Sequence, residues 1–318
     1  MKKIITTIAS CCCAMLLLAQ TAALDAPNLD FSMNNFTGWK RTLGTFVCDD
    51  ANVQDPHKTY SYDWTETIGE TAENNRIDLL GDVATIDPIL QCDALYTNPD
   101  PGKNVARIGR PLMTEGMHGS GGNLSYPKAA ADKLEYDYQI TPATSVLKYR
   151  FASVLHIPDE GGEHVGVERP FFSVHIKVVK PDGTLIIPAC SSYETVVNDD
   201  EASTLERATA PCRASASTTP GEYMYQPWTS VLVDLRNYVG SRVYITVIVH
   251  DCLVRIGGKP VAGGHEAYGY FRAEAMDLSL TAKACKGEDA QIVAPAGFAS
   301  YRWSRSDHLP ISPDAAHA

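Results

Sequence analysis

The sequence predicts an all-β protein folded as an antiparallel β-sandwich, and three observations lead to this fold class. Apolar and polar side chains alternate along most of the middle of the chain. Turn-forming clusters of Gly, Pro, Asp and Asn separate these stretches. No long segment shows the periodicity and the caps of an amphipathic helix. Many short strands joined by turn-rich connections are typical of sandwiches.

The predicted strands follow one another in an order that can be read directly from the alternation. They are "LEYDYQI" (134–140), "LKYRFASVLHI" (147–157), "FSVHIKVV" (172–179), "SRVYITVIVHDC" (241–252) and "AYGYFRAEAMDLSL" (267–280). The segments "YTNPDPGKN" and "PDEGGEHVGVERP" lack alternation and are rich in Gly and Pro. We expect them to form long loops, which is where binding residues concentrate.

The amino terminus has the layout of a secretory signal peptide. Lys2 and Lys3 precede a mostly apolar stretch that ends at Leu18, and the small residues "AQTAA" follow it. This predicts export, with cleavage after Ala23. A lipoprotein box ending at Cys11 is the alternative, but most of the apolar region follows that cysteine. The apolar stretch is too short to predict a membrane-spanning helix.

Cysteine number gives a second indication of export. Removal of residues 1–23 leaves six cysteines, at positions 48, 92, 190, 212, 252 and 285. An even number in an exported chain predicts three disulfides, and six cysteines allow about 15 pairings. Sequential pairing, with Cys48–Cys92 as the first bridge, is the hypothesis that we adopt. The absence of a CxxC pair argues against a zinc or redox motif.

The formal charge of the 318-residue chain is −11, and the isoelectric point is near 5.3. An acidic protein without a Lys/Arg run is repelled by phosphate backbones, so nucleic acid is excluded as a partner.

Catalytic motifs are weak. "HGSGG" around Ser120 has His118 where a nucleophile elbow requires glycine. His164 and Glu168 stand four residues apart, but in a predicted loop and not on a helix. Paired carboxylates are the remaining catalytic possibility, as in glycoside hydrolases. The candidates for such a pair are Glu135, Asp137, Asp159, Glu160, Glu222, Glu274 and Asp277.

Aromatic residues offer a different chemistry, because sugar rings stack on flat aromatic faces. The candidates for such contacts are Tyr223, Tyr225, Trp228, Tyr268 and Tyr270, joined by His265 in the glycine-rich "GGHEAYGY". The alternative role for Trp228, as for Trp39, is a place in the hydrophobic core. For His265 it is a hydrogen bond that holds its loop.

Several stretches also resemble a known family. "NLDFSMNNFTGW" (28–39) is similar to the opening of galactose-binding-like jelly rolls, and "ARIGR" and "HGSGGN" follow in the expected order. Together with "PWTSVLVDLRNYVGSRVYITVIVHDC" and "GGHEAYGYFRAEAMD", residues 28–290 resemble the amino-terminal domain of PKD-repeat surface proteins. Those proteins belong to gliding bacteria and are exported by type IX secretion.

The resemblance implies a non-catalytic jelly-roll β-sandwich on the cell surface or outside the cell. It also implies the disulfides Cys190–Cys212 and Cys252–Cys285. Related sugar-binding jelly rolls carry a structural calcium ion between their first and last strands. The matching positions here are Asn28, Asp30, Glu274 and Asp277. The sequence departs from this pattern at Ser32, where those jelly rolls carry glutamate.

These observations predict three parts of the chain: a signal peptide (1–23), a jelly-roll domain (24–290), and the start of an incomplete PKD or immunoglobulin-like module with a disordered tail (291–318). The predicted function is an exported, non-catalytic binding or adhesion module that recognises a glycan or a surface protein. One alternative is a carbohydrate-active hydrolase that uses a carboxylate pair. The other is a structural spacer domain without a ligand.

Overall fold

The computed structural model is a jelly-roll β-sandwich of two antiparallel sheets, which confirms the predicted fold class. It describes residues 25–48, 60–81, 83–90, 95–100, 102–110, 129–157, 168–197, 205–207, 223–252, 254–256, 259–261, 265–277, 281–283 and 291–293. Within these ranges, no helix is long and apolar enough to cross a membrane.

The strands of the described residues are β1 (Lys40–Cys48), β2 (Tyr60–Ile68), β3 (Ile77–Leu80), β4 (Val105–Gly109), β5 (Ala129–Gln139), β6 (Val146–His156), β7 (Phe171–Val179), β8 (Leu185–Ile186), β9 (Tyr193–Val196), β10 (Glu206–Arg207), β11 (Tyr223–Asp234), β12 (Arg242–His250), β13 (Val254–Ile256), β14 (Lys259–Val261), β15 (Ala267–Met276), β16 (Thr281–Lys283) and β17 (Gln291–Val293). Two short 3-10 helices, Pro142–Thr144 and Arg236–Tyr238, lie in connections between strands.

One sheet has the strand order β2-β1-β5-β12-β7-β8, and β9 also pairs with β7. The other has the order β10-β11-β6-β15-β4-β3. We call these the seven-stranded and the six-stranded sheet. Strand β2 therefore forms one edge of the seven-stranded sheet.

The main hydrophobic core lies between the two sheets. Leu134, Val247 and Val174 are neighbours across β5, β12 and β7, and all three are fully buried. Phe151 and Phe271 face them from β6 and β15. Because side chains alternate across a strand, every second residue of these strands points away from this core. We call those the outer faces of the two sheets.

The chain divides into two compact units, residues 1–276 and 277–318. The first contains both sheets of the sandwich. In the second, the described strands β16 and β17 pair as an antiparallel hairpin. The predicted signal peptide lies outside the described residues, as does the sequence that follows Val293.

Candidate functional site

The four predicted tyrosines do lie together, on the outer face of the six-stranded sheet. Tyr223 and Tyr225 are on β11, and Tyr268 and Tyr270 are on β15. None is more than 8% exposed, because they pack in a second hydrophobic cluster with Leu90, Leu95 and other apolar residues. Residues from segments 83–90 and 95–100 thus belong to the packed layer over this face. The four rings form part of a buried cluster and not of an open surface.

A buried carboxylate joins this segment to the sheet. The hydroxyl of Tyr268 donates to Asp87 Oδ1 at 2.9 Å, and the hydroxyl of Tyr270 donates to Oδ2 at 2.7 Å. The backbone N–H groups of Ile89 and Leu90 donate to Oδ1 as well. Burial raises the pKa of Asp87 and the pKa values of both tyrosines. Asp87 therefore satisfies two phenol hydroxyls that would otherwise be buried without acceptors.

Trp228 lies at the margin of the same cluster and is only partly buried. Its indole N–H donates to the carbonyl of Tyr96 at 2.7 Å, and its ring centroid is 6.1 Å from that of Tyr270. The guanidinium of Arg150 lies 5.8 Å from the indole centroid.

His265 is part of a polar group at the start of β15. Its Nδ1 lies 2.9 Å from Cys252 Sγ, and its ring meets the His156 ring edge-on at 4.9 Å. His156 Nδ1 lies 3.0 Å from Glu266 Oε2, while the Tyr223 hydroxyl donates to Glu266 Oε1 at 2.5 Å. Burial alone would raise the pKa of Glu266, but the hydrogen bond and charge of His156 lower it. These contacts link His265, just before β15, to Cys252 and to His156 of β6.

The first two predicted calcium ligands take part in a tight turn segment. The amide of Asn28 donates to the carbonyls of Asn35 and Thr37, each at 2.9 Å, and its Oδ1 accepts from the N–H of Met33 at 2.8 Å. These bonds hold Asn28 in a left-handed conformation, with φ of 60°. Asp30 Oδ1 accepts from the N–H that follows it by two residues, at 3.1 Å.

Glu274 has cationic partners on the outer face of the six-stranded sheet. Lys148 Nζ lies 2.9 Å from its carboxylate and Lys103 Nζ lies 3.6 Å away. Burial alone would raise the pKa of Glu274, but the bond and charge of Lys148 lower it. Asp277 belongs to the second unit of the chain. Across the described ranges, no group of three or more His, Cys, Asp or Glu could hold a metal ion. The calcium site stays a prediction.

The disulfides also stay predictions. The described cysteine side chains are the exposed Cys190 and the buried Cys252. Their predicted partners, Cys212 and Cys285, fall outside the described residues, as do Cys92 and the side chain of Cys48.

Three described members of the predicted carboxylate set, Glu135, Asp137 and Glu274, have basic partners. Glu135 pairs with Lys133 at 3.0 Å, and Asp137 pairs with Arg242 across β5 and β12. Asp159, Glu160 and Glu222 fall outside the described residues.

A set of aromatic residues that sequence reasoning missed lies on the outer face of the seven-stranded sheet. Strand β2 reads "YSYDWTETI", and its Tyr60, Tyr62 and Trp64 are each partly buried on that face. Ser61 and Asp63 between them are exposed. The signal was present in the sequence, since aromatic and polar residues alternate with a period of two.

The rings of this surface are in contact with one another. The centroids of Tyr62 and Trp64 are 5.0 Å apart, and the ring planes are 15° from parallel. Phe46 of β1 lies next to Tyr62, with the centroids 5.3 Å apart and the ring planes tilted by 48°. Phe46 also stacks on the buried His250, at 4.1 Å between centroids. Stacked aromatic pairs of this kind contribute about 0.5–1.5 kcal/mol beyond their buried area.

Small residues beneath the rings let them lie close to the sheet. A Cβ added at Gly44 would lie 2.8 Å from Trp64 Cε3 and 2.4 Å from the carbonyl oxygen of Asp63. Ala129 and Ala131 of β5 are fully buried on the same face. Gly44 is therefore required by close approach and not by its backbone angles.

Charged groups flank the rings on the neighbouring strands. Lys133 Nζ lies 4.7 Å from the Trp64 centroid and 3.0 Å from Glu135 Oε2, which Lys40 also approaches at 3.8 Å. The pKa of Tyr62 is raised to about 12, chiefly by burial and also by the charge of Glu194. We call Tyr60, Tyr62, Trp64, Lys133 and Glu135 the aromatic surface. It combines flat rings with a donor and an acceptor of hydrogen bonds.

Comparison with known proteins gives structural matches only. No family model and no curated protein matches the chain. Among solved structures, the chain is similar to the carbohydrate-binding module TmCBM61 in complex with β-1,4-galactotriose, with 12% identity and a TM-score of 0.28, over 79% of this chain and 97% of that one. The enzymatically active domain of bacteriophage CBA120 tailspike protein 4 matches with 8% identity and a TM-score of 0.29, over 79% of this chain and 21% of that one. The mannan-binding module TmCBM27 matches with 11% identity and a TM-score of 0.21, over 63% and 90%. TM-scores of this size identify no ligand for this chain.

Proposed function

We propose that this protein is an exported, non-catalytic module that binds glycans on the aromatic surface. The observation that supports this most directly is the partly exposed stack of Tyr62 and Trp64 beside the Lys133–Glu135 ion pair. Aromatic residues with one accessible side and a few fixed polar groups are the usual elements of ligand recognition.

The chemistry of a sugar ring fits this combination. The C–H groups on one side of a pyranose are apolar and pack against an indole or phenol ring. Its hydroxyls both donate and accept hydrogen bonds, so they can accept from the Lys133 ammonium and donate to the Glu135 carboxylate. Hydrogen bonds to charged groups are stronger than neutral ones, which would fix the orientation of the sugar.

Export is supported by the signal-peptide pattern and by the even number of cysteines after residue 23.

A non-catalytic role is supported by the partners of the candidate acids: Glu135, Asp137 and Glu274 each have a cation within ion-pair distance. A glycosidase requires one acid that delivers a proton to the leaving group, whereas the bond and charge of Lys148 lower the pKa of Glu274.

The test is binding of the mature chain, residues 24–318, to a panel of insoluble polysaccharides, measured by depletion from solution. The change is Trp64→Ala, which removes the ring that contacts both Tyr62 and Lys133. We expect the affinity for the bound polysaccharide to fall about tenfold or more, as for a central aromatic contact. Glu135→Gln should reduce affinity less, because it retains an acceptor.

Tyr244→Ala is the matched control, since Tyr244 is 39% exposed on the outer face of the same sheet. It should bind like the wild type. Equal binding by Trp64→Ala and wild type, at equal thermal stability, would contradict the proposal. So would failure of the wild-type chain to bind any polysaccharide of the panel while retaining a cooperative thermal transition.

A further inference from the structure

A polar cleft that shares no residue with the aromatic surface lies beside the connection from β2 to β3. Its volume is about 690 Å³, and its walls come from residues 34–36 and 70–75 together with Arg41, Asp78 and Leu79. Volumes of about 300–1,000 Å³ are typical of small-molecule sites.

Two asparagines of the walls are held in fixed orientations by the backbone. Asn74 Oδ1 accepts from the N–H groups of Arg76 and Ile77 at 2.8 and 3.0 Å. Asn35 Oδ1 accepts from the N–H of Thr37 at 2.9 Å. Since both side-chain oxygens are engaged, each amide nitrogen is left as a donor. Neither nitrogen donates to another residue of the described ranges.

Acceptors line the same cleft. Glu70 Oε1 accepts from the N–H of Gly38 at 3.2 Å, which anchors this carboxylate on the wall. Glu73 and Asn75 are exposed residues of the lining. The walls of the cleft thus contain both amide donors and carboxylate acceptors, and hydroxyl groups, which donate and accept hydrogen bonds, can pair with both.

A buried arginine holds the wall in place. Arg41 is 1% exposed, and its guanidinium donates to the carbonyls of Ile77 at 2.9 Å, Ala72 at 2.7 Å and Gly69. It also lies 4.3 Å from the centroid of the Phe36 ring. Three bonds from one rigid fork fix the 69–77 segment, so the cleft is preorganised and loses little entropy when it binds.

The charge of the lining argues against an anionic ligand. Glu70, Glu73 and Asp78 carry three formal negative charges against the single positive charge of Arg41. Asp78 is paired with Arg107 at 2.7 Å, which leaves the two glutamates to repel an anion.

We propose that this cleft is a second ligand site that takes an uncharged, hydroxyl-rich ligand, namely a short neutral oligosaccharide. Its hydroxyl oxygens accept from the amides of Asn35 and Asn74, and its hydroxyl protons are donated to Glu70 and Glu73. The cleft and the aromatic surface share no residue, so we expect each to bind its ligand independently of the other.

The experiment is calorimetric titration of the mature chain with neutral trisaccharides of glucose, galactose and mannose. Trigalacturonate is the charged comparison. The decisive variant is Asn74→Asp, which keeps an oxygen for the N–H groups of Arg76 and Ile77 but replaces the donor with an acceptor. We expect it to weaken the bound neutral trisaccharide about tenfold or more. Asn35→Asp should act in the same direction.

Two further arms separate this proposal from the first. Trp64→Ala should leave trisaccharide affinity unchanged while it lowers polysaccharide binding. Asn237→Asp, at an exposed residue of the Arg236–Tyr238 3-10 helix and outside the cleft lining, controls for the added charge and should bind the trisaccharide like the wild type. Normal trisaccharide affinity in folded Asn74→Asp, tighter binding of trigalacturonate, or no binding of any neutral trisaccharide would each overturn the proposal. None of these results would alter the expectation for Trp64→Ala on polysaccharides.

Discussion

Replacement of Asp87 by alanine should destabilise the protein strongly, although Asp87 lies in a connecting segment and not in a strand. Its carboxylate is fully buried and accepts from the hydroxyls of Tyr268 and Tyr270, which are fully buried too. Alanine removes both acceptors at once. It also leaves the N–H groups of Ile89 and Leu90 without the oxygen that they contact.

The expected magnitude follows from the number of groups left unsatisfied. A buried polar group without a partner costs about 1–3 kcal/mol. Two phenol hydroxyls therefore predict a loss of about 2–6 kcal/mol, with values near the lower end if water enters the space. A loss of 3 kcal/mol corresponds to a fall in Tm of about 6–12 °C for a domain of this size.

The assay is urea unfolding of wild type, Asp87→Ala, the double variant Tyr268→Phe/Tyr270→Phe, and the triple variant. In the phenylalanine background, the buried carboxylate has lost two donors. In that background, Asp87→Ala should lower the free energy of unfolding much less than in the wild type, or should raise it. The difference between the two backgrounds is the coupling energy between Asp87 and the two hydroxyls, and we expect it to be large. An equal cost in both backgrounds, or a cost below about 1 kcal/mol in the wild type, would refute this account of the segment.

Two other changes test the packing and the buried charges. Gly269→Ala places a Cβ 2.3 Å from Phe172 Cε2 and 2.8 Å from a backbone oxygen, so we expect a loss of about 1–3 kcal/mol in thermal unfolding. Gly81→Ala, where an added Cβ meets nothing within 4 Å, should change the Tm little. Similar Tm values for the two variants would contradict the clash expected at Gly269. Burial and the nearby Asp132 and Glu266 raise the pKa of Asp251 to about 8, against the charge of Arg76. The folded pKa of Asp251 exceeds its unfolded value. The stability that the protonated Asp251 carboxyl contributes to the fold is therefore complete below about pH 4. It is lost as the pH rises to about 8, by at most about 1.4 kcal/mol per pH unit. Asp251→Asn should flatten the dependence of urea unfolding on pH in this window, and an unchanged slope would show that Asp251 does not titrate there.

The strands were the most predictable part of the fold. Alternation placed a strand over 147–157, and β6 spans Val146–His156; the stretch 241–252 contains β12, Arg242–His250. Prediction succeeds here because the two-residue period of the pleat is the period of the burial pattern. The same rule indicated β2, whose alternating Tyr60, Tyr62 and Trp64 went unrecognised.

The sites were less predictable, because they depend on contacts between distant parts of the chain. Asn74 and Asn35 line one cleft although 39 positions separate them in the sequence. Nothing local in "AENNRID" shows that Asn74 caps the backbone of its own turn and faces a cavity. Loop walls have no periodicity from which such a placement could be read.

The sequence by itself determined the fold class and the residues that share a face, since both follow from the pleat. Tertiary structure alone decided which outer face is covered. Tyr268 and Trp64 have the same local pattern of alternating aromatics, yet Tyr268 is fully buried and Trp64 is only partly so. The difference arises because Asp87, 181 positions before Tyr268, brings its segment onto one sheet and supplies the acceptor that two buried hydroxyls require.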